Sequence, residues 1–139
     1  MESSLLKEVI QRIEASAEPR VEVLTGAPPA GPRLGVLAAS FNPVTVAHLE
    51  LMHRAARAFS LDETLALVGL SNADKTGYEC SLEDRLTMLM LAVENDPWLS
   101  IGLSSHAFYV DMIEALERVW APGTDLHFVV GFDTFERVL

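Results

Sequence analysis

Between Ser40 and His48 the chain reads Ser-Phe-Asn-Pro-Val-Thr-Val-Ala-His, set between an apolar run at Leu34–Ala39 and a helical pattern. Pro43 disfavours a helical backbone at Asn42 and fixes a turn there. Thr45 then stands where a helix N-cap belongs, and His48 follows one turn later on the same side. Free backbone N–H groups, a helix N-terminus and an imidazole around one small space suit a phosphate chain. A protonated imidazole at His48 would contact the oxygen bridging the α and β phosphates of a nucleoside triphosphate and stabilise charge developing there. A lone histidine on a helix more often just satisfies a backbone carbonyl; the surrounding S-F-N-P-x-T-x-x-H run turns the balance toward function.

Two further clusters have the right chemistry. Ser71-Asn72-Ala73-Asp74-Lys75-Thr76-Gly77 is a polar loop carrying one cation, Lys75. Gly131-Phe132-Asp133 follows an apolar run from Leu126. There the glycine allows close backbone approach and an aspartate can accept both hydroxyls of a ribose. Asp133 is equally a good N-cap for a following helix. No covalent nucleophile stands out, because Cys80 and the serines have no neighbouring base in these motifs. His53, His106 and His127 lack ligand spacing, so no resident metal site is expected.

These clusters need a scaffold that brings them to one edge. From Leu34 the pattern alternates strand and helix: strands at Leu34–Ala39, Thr64–Leu70, Trp98–Leu103 and Leu126–Gly131, with helices at Val46–Phe59, Ser81–Asn95 and Phe108–Trp120. A short helical segment is expected from Asp133 to Leu139. Repeated β-α units imply an α/β fold, a Rossmann-like doubly wound parallel sheet, here reaching only a fourth strand. All three clusters then fall at carboxyl ends of strands, where ligands bind in such sheets. Before the sheet, Ser4–Ala17 reads as an amphipathic helix with Leu5, Leu6, Val9, Ile10 and Ile13 on one side. Glu18–Arg33 holds four of the seven prolines and reads as a linker with a short strand at Val21–Leu24. The expected division is residues 1–33, helix and linker, and residues 34–139, a nucleotide-binding domain.

Bulk properties narrow the class. The 139 residues are 50% hydrophobic with a mean hydropathy of +0.24, as a buried parallel sheet requires. No apolar run approaches the roughly 18 residues of a membrane span. The Met1-Glu2-Ser3-Ser4 start lacks the basic and apolar regions of a secretory leader, so a cytoplasmic location is expected. One cysteine excludes an internal disulfide. A net charge of −10 and a pI near 4.7 argue against nucleic acid or an anionic membrane as partner. They leave a nucleotide site open, since local dipoles and one or two cations suffice. The amphipathic first helix offers a face for a homo-oligomer.

The run from Ser40 to His48 resembles the signature of the nucleotidylyltransferase superfamily, G-x-F-x-P-[HT]-x-x-H, and is most similar to the branch that adenylylates nicotinamide or nicotinate mononucleotide. The resemblance implies that Ser40, Phe41 and Asn42 wrap a triphosphate through backbone groups, with Thr45 and His48 as the nucleotide-contacting pair. Lys75 would lie near the phosphates, and Gly131 with Asp133 would contact the adenosine ribose. Ser81–Leu89 is similar to the family's e-R-l-m-l helix, in which Arg85 is expected to pair with Glu83 or the loop. The implied substrates are ATP, bringing Mg²⁺ with it, and a small mononucleotide acceptor; the product is a dinucleotide with release of pyrophosphate. Two departures stand against this. Tyr109 and Met112 replace both threonines of Y-T-x-D-T-L, the family's pyridine-nucleotide segment. The I-S-[ST]-[ST]-x-[IV]-R motif does not occur within the 139 residues, as in a piece of a longer protein or a short relative with weakened catalysis. The alternatives are a non-catalytic nucleotide-binding or interaction module, or an enzyme acting on phosphopantetheine, a cytidylyl acceptor or a flavin.

Overall fold

A computed structural model describes residues 1–25, 32–70, 80–131 and Glu136. The elements follow in the order α1 (Ser3–Ala15), β1 (Val21–Thr25), β2 (Arg33–Ala39), α2 (Val46–Phe59), β3 (Glu63–Gly69), α3 (Leu82–Val93), β4 (Leu99–Ser104), α4 (Tyr109–Val119) and β5 (Asp125–Phe128). The strands form one sheet in the order β1-β4-β3-β2-β5. Strands β2, β3, β4 and β5 pair in parallel, and β1 lies antiparallel on β4, with Val21 opposite Ser104. The fold is Rossmann-like α/β with an N-terminal helix.

Period-two alternation divides the core between the two faces of the sheet. Leu37, Ala66, Val68, Leu99, Ile101 and Leu103 face α1, α2 and α3, meeting Leu6, Val9, Ile13, Met52, Leu86 and Leu89. Leu34, Val36, Leu65 and Leu67 face α4, meeting Met112, Ala115, Leu116 and Trp120. On that second face β4 contributes Gly102, and a Cβ there would stand 3.3 Å from Leu65 Cδ1 and Leu67 Cδ1. Those two leucines take the space a side chain on β4 would fill.

Two features differ from expectation. The short strand expected at Val21–Leu24 forms, as Val21–Thr25, but joins the sheet as a fifth described strand at its edge and runs against the others. Its partner lies some eighty residues away, so the sequence shows the strand without showing what it pairs with. Leu6, Val9 and Ile13, on the apolar side expected for α1, are built into the core of the sheet. Strand β5 ends at Phe128, and Gly131 lies beyond it, although the Val129 N–H still donates to the Val36 carbonyl at 2.8 Å. The expected helix from Asp133 and the loop from Ser71 to Gly77 lie outside the described residues.

Candidate functional site

At the carboxyl end of β2 the chain leaves the sheet through Ser40 and turns at Phe41, whose φ of +47° lies in the left-handed region. That conformation costs a non-glycine residue about 1–2 kcal/mol. Burial of the Phe41 ring to 1% exposure offsets it, placing the ring among Leu37, Met52 and Leu86. The Asn42–Pro43 peptide is cis. Asn42 Oδ1 is buried and has no hydrogen-bond partner among the described residues.

Helix α2 then begins on a reciprocal cap. The His48 N–H donates to Thr45 Oγ1 at 3.4 Å, and the Thr45 N–H donates to His48 Nδ1 at 3.0 Å. A histidine thus fills the place that Glu or Gln occupies in the usual capping box. Thr45 Oγ1 also lies 3.1 Å from Nδ1. The imidazole packs against the Phe41 ring with centroids 4.8 Å apart.

This geometry fixes the tautomer. A backbone N–H can only donate, so the nitrogen receiving it carries no proton, and the hydrogen of the neutral ring sits on Nε2. Partial burial of the ring lowers the His48 pKa from its ordinary value. The protonated imidazole expected from the sequence is therefore replaced by a neutral N–H donor. Protonation would break the bond from Thr45 and place a charge in a partly desolvated position. Nε2 has no partner among the described residues.

Arg85, expected to pair with Glu83 or the loop, lies inside the fold. Its side chain is 1% exposed, and one guanidinium nitrogen donates to the Ser40 carbonyl at 3.0 Å. Glu83, offered as its partner, instead accepts from Ser3 Oγ at 2.6 Å. The sequence held a signal: Arg85 lies on the apolar stripe of α3 with Leu82, Leu86 and Leu89, so its charge had to find a partner inside.

The structure thus brings Ser40, Phe41, Asn42, Thr45 and His48 together. Gly131 follows β5, which pairs with β2, and a Cβ on it would meet nothing within 4 Å. Lys75 and Asp133 lie outside the described residues. Helix α4 explains one departure from the pyridine-nucleotide segment. Met112 is buried against the sheet, and Tyr109 meets Phe128 edge-on with centroids 5.1 Å apart. Phe108, by contrast, is 75% exposed. Among the described residues no group of three His, Cys, Asp or Glu could hold a metal, and no helix is long and apolar enough to cross a membrane.

Comparison with known proteins adds a family. The model described as Cytidylyltransferase-like matches residues 36–136. Among curated proteins, a probable nicotinate-nucleotide adenylyltransferase of Trichlorobacter lovleyi is 32% identical over 109 residues, covering 74% of this chain and 51% of its own. Its counterpart in Geobacter sulfurreducens is 31% identical over 109 residues, covering 74% and 50%. The one from Gemmatimonas aurantiaca is 34% identical over 107 residues, covering 73% and 50%. The chain spans about half the length of the curated relatives it matches.

Proposed function

The chain belongs to the cytidylyltransferase-like family, and on that premise we propose that it is a nucleotidylyltransferase moving AMP from ATP to nicotinamide or nicotinate mononucleotide. An oxygen of the acceptor phosphate attacks the α-phosphorus in line. The new P–O bond forms as the bond to the bridging oxygen breaks, and pyrophosphate leaves. Such a transfer needs positioning and charge stabilisation and no covalent enzyme intermediate. The activity for which the relatives are named supports the nicotinate side of this reading. Mg²⁺ enters with ATP as part of the substrate.

The observation that carries the proposal is the hydrogen bond from the Thr45 N–H to His48 Nδ1. It holds the imidazole as a neutral donor at the mouth of the loop formed by Ser40, Phe41 and Asn42. There Nε2–H would donate to the oxygen between the α and β phosphates as negative charge grows on it. Backbone groups of residues 40–42 would cradle the phosphates, with Lys75 as an added cation and Gly131 and Asp133 against the adenosine ribose. Arg85 acts one step back, holding the loop through Ser40.

Pyrophosphate release from Mg–ATP, with the two mononucleotides offered in parallel, tests this. Release with either acceptor, reduced about a hundredfold or more in His48→Ala, is the expected result. Folded wild-type protein that releases none with either acceptor overturns the proposal. Titration with ATP then separates a nucleotide-binding module from an enzyme with another acceptor.

A further inference from the structure

The match to the family covers residues 36–136, so α1 and β1 stand before it in the chain. Both are nevertheless built into the fold. On one face of the sheet, α2 lies on β2 and β3, α3 on β4, and α1 on β4 and β1. With the strands in the order β1-β4-β3-β2, α3 is seated between α2 and α1. Leu6, Val9 and Ile13 of α1 share one buried cluster with Leu86, Leu89 and Val93 of α3 and with Phe41 of the candidate site. Leu99, Ile101 and Leu103 of β4 lie in the same cluster, and α1 completes their cover.

The first turn of α3 is held from two sides. Ser81 caps it, accepting the Asp84 N–H at 3.1 Å. Residues two apart on a helix face away from each other, and Glu83 and Arg85 stand in that relation. Glu83 accepts from Ser3 Oγ of α1 at 2.6 Å. Arg85 donates to the Ser40 carbonyl at 3.0 Å. A single turn of helix thus joins α1 to the loop formed by Ser40, Phe41 and Asn42. Close packing around the buried Arg85 side chain leaves it little room to absorb a shift of α3. Where α3 moves, the guanidinium and its grip on the Ser40 carbonyl move with it.

We propose that α1 is a positioning element for the Ser40 loop, seating α3 so that Arg85 meets the Ser40 carbonyl. Leu6 is the positioning residue at the centre of this contact, and it touches no substrate. As a statement about nucleotide affinity, the proposal rests on the reading of Ser40–Asn42 as a phosphate cradle. It places one determinant of that affinity outside the residues that match the family.

Leu6→Ala thins the contact of α1 with the shared cluster and leaves every residue of the candidate site in place. Its control is Leu116→Ala, which opens a gap on the opposite face of the sheet, under α4. Both changes lower stability, so affinity is compared at a temperature where circular dichroism shows each variant folded. Leu6→Val and Leu116→Val, which remove less, take over if either alanine variant fails to fold. Calorimetric titration with Mg–ATP should show the Kd raised roughly three- to tenfold in the Leu6 variant, as for a weakened charged hydrogen bond. The Leu116 variant should match wild type, which separates positioning from a general loss of stability. A Kd that moves equally in both variants, or in neither, overturns the assignment. Wild type without affinity for ATP sinks the cradle reading, and the buried Arg85 Nε–H then tests the coupling alone. By ¹⁵N spectra, its exchange with solvent should be about tenfold faster in the Leu6 variant than in wild type or the Leu116 variant. That result upholds the coupling while the cradle reading falls; equal exchange in the two variants overturns it.

Discussion

Replacing Thr45 by alanine separates the two halves of the cap on α2. The side chain contributes an oxygen that accepts the His48 N–H at 3.4 Å and lies 3.1 Å from His48 Nδ1. Threonine-to-alanine changes at an N-cap cost about 0.5–2 kcal/mol. A bond of 3.4 Å is at the long limit of useful geometry, which places the expected loss near 1 kcal/mol. The second half of the cap comes from the main chain, since the donor to Nδ1 is the Thr45 N–H at 3.0 Å. Alanine keeps that N–H, so the His48 tautomer must survive. Urea unfolding at pH 7.5 should report the loss of about 1 kcal/mol, while ring ¹⁵N spectra of the same variant still show His48 protonated on Nε2 alone. A variant whose His48 switches to the Nδ1–H tautomer would show that the hydroxyl, not the backbone, sets the ring, and the account of the site would fail.

Three further outcomes follow from the same geometry. Because the His48 pKa is lowered by burial, the folded protein binds that proton less tightly than the unfolded chain. The stability this confers is full above the ordinary imidazole value of about 6.5 and declines as pH falls through it. Correspondingly, kcat/KM should drop on acidification between pH 7 and 5; a rate that rises there would mean the charged ring is the working form. Arg85→Met removes a charged donor from the Ser40 carbonyl, so denaturant titration should show at least about 1.5–3 kcal/mol lost. The KM for ATP should rise with it, and Arg85→Lys should recover only part of both; an unchanged KM for ATP would disconnect Arg85 from the loop. Glu63, 6% exposed at the start of β3, accepts from Ser100 Oγ through one carboxylate oxygen and leaves the other without a partner among the described residues. Burial raises its pKa, so wild type loses stability as pH rises through that raised value. Glu63→Gln does not titrate, and thermal melts should find its advantage over wild type at pH 8 and a smaller one at pH 4; a pH-independent difference would refute this.

How much of this could be read from the residues depends on how local each interaction is. Helix α2 begins and ends where its apolar spacing and Thr45 cap place it, because those signals lie within the helix and its first turn. The alternating runs of β2, β3 and β4 are equally self-contained. Strand β1 is different: Val21–Thr25 is short, follows Pro19, and owes its structure to a partner at Ile101–Ser104. At the site, the Ser40–His48 run announced its turn and cap, but not the protonation state of His48. That state depends on where a single backbone N–H points, which no residue type declares. Arg85 was visible as a charge on an apolar stripe, and only the packing of α3 beside the Ser40 turn reveals what it holds.

The antiparallel pairing of β1 with β4 has a consequence for assembly. Strand β4 would otherwise present a full row of N–H and C=O groups at the sheet's edge, the kind of template on which chains stack into aggregates. The segment that covers it leaves the ribosome some eighty residues ahead of its partner. Until then β1 has nothing to pair with, and the nascent parallel strands, slow to form in any case, lack their edge cover. The same strand then shapes the finished molecule from its first residues, since the Arg20 N–H leading into β1 is what holds Ser105 beside His106. Closing the edge with β1 therefore also ties down the turn that follows β4.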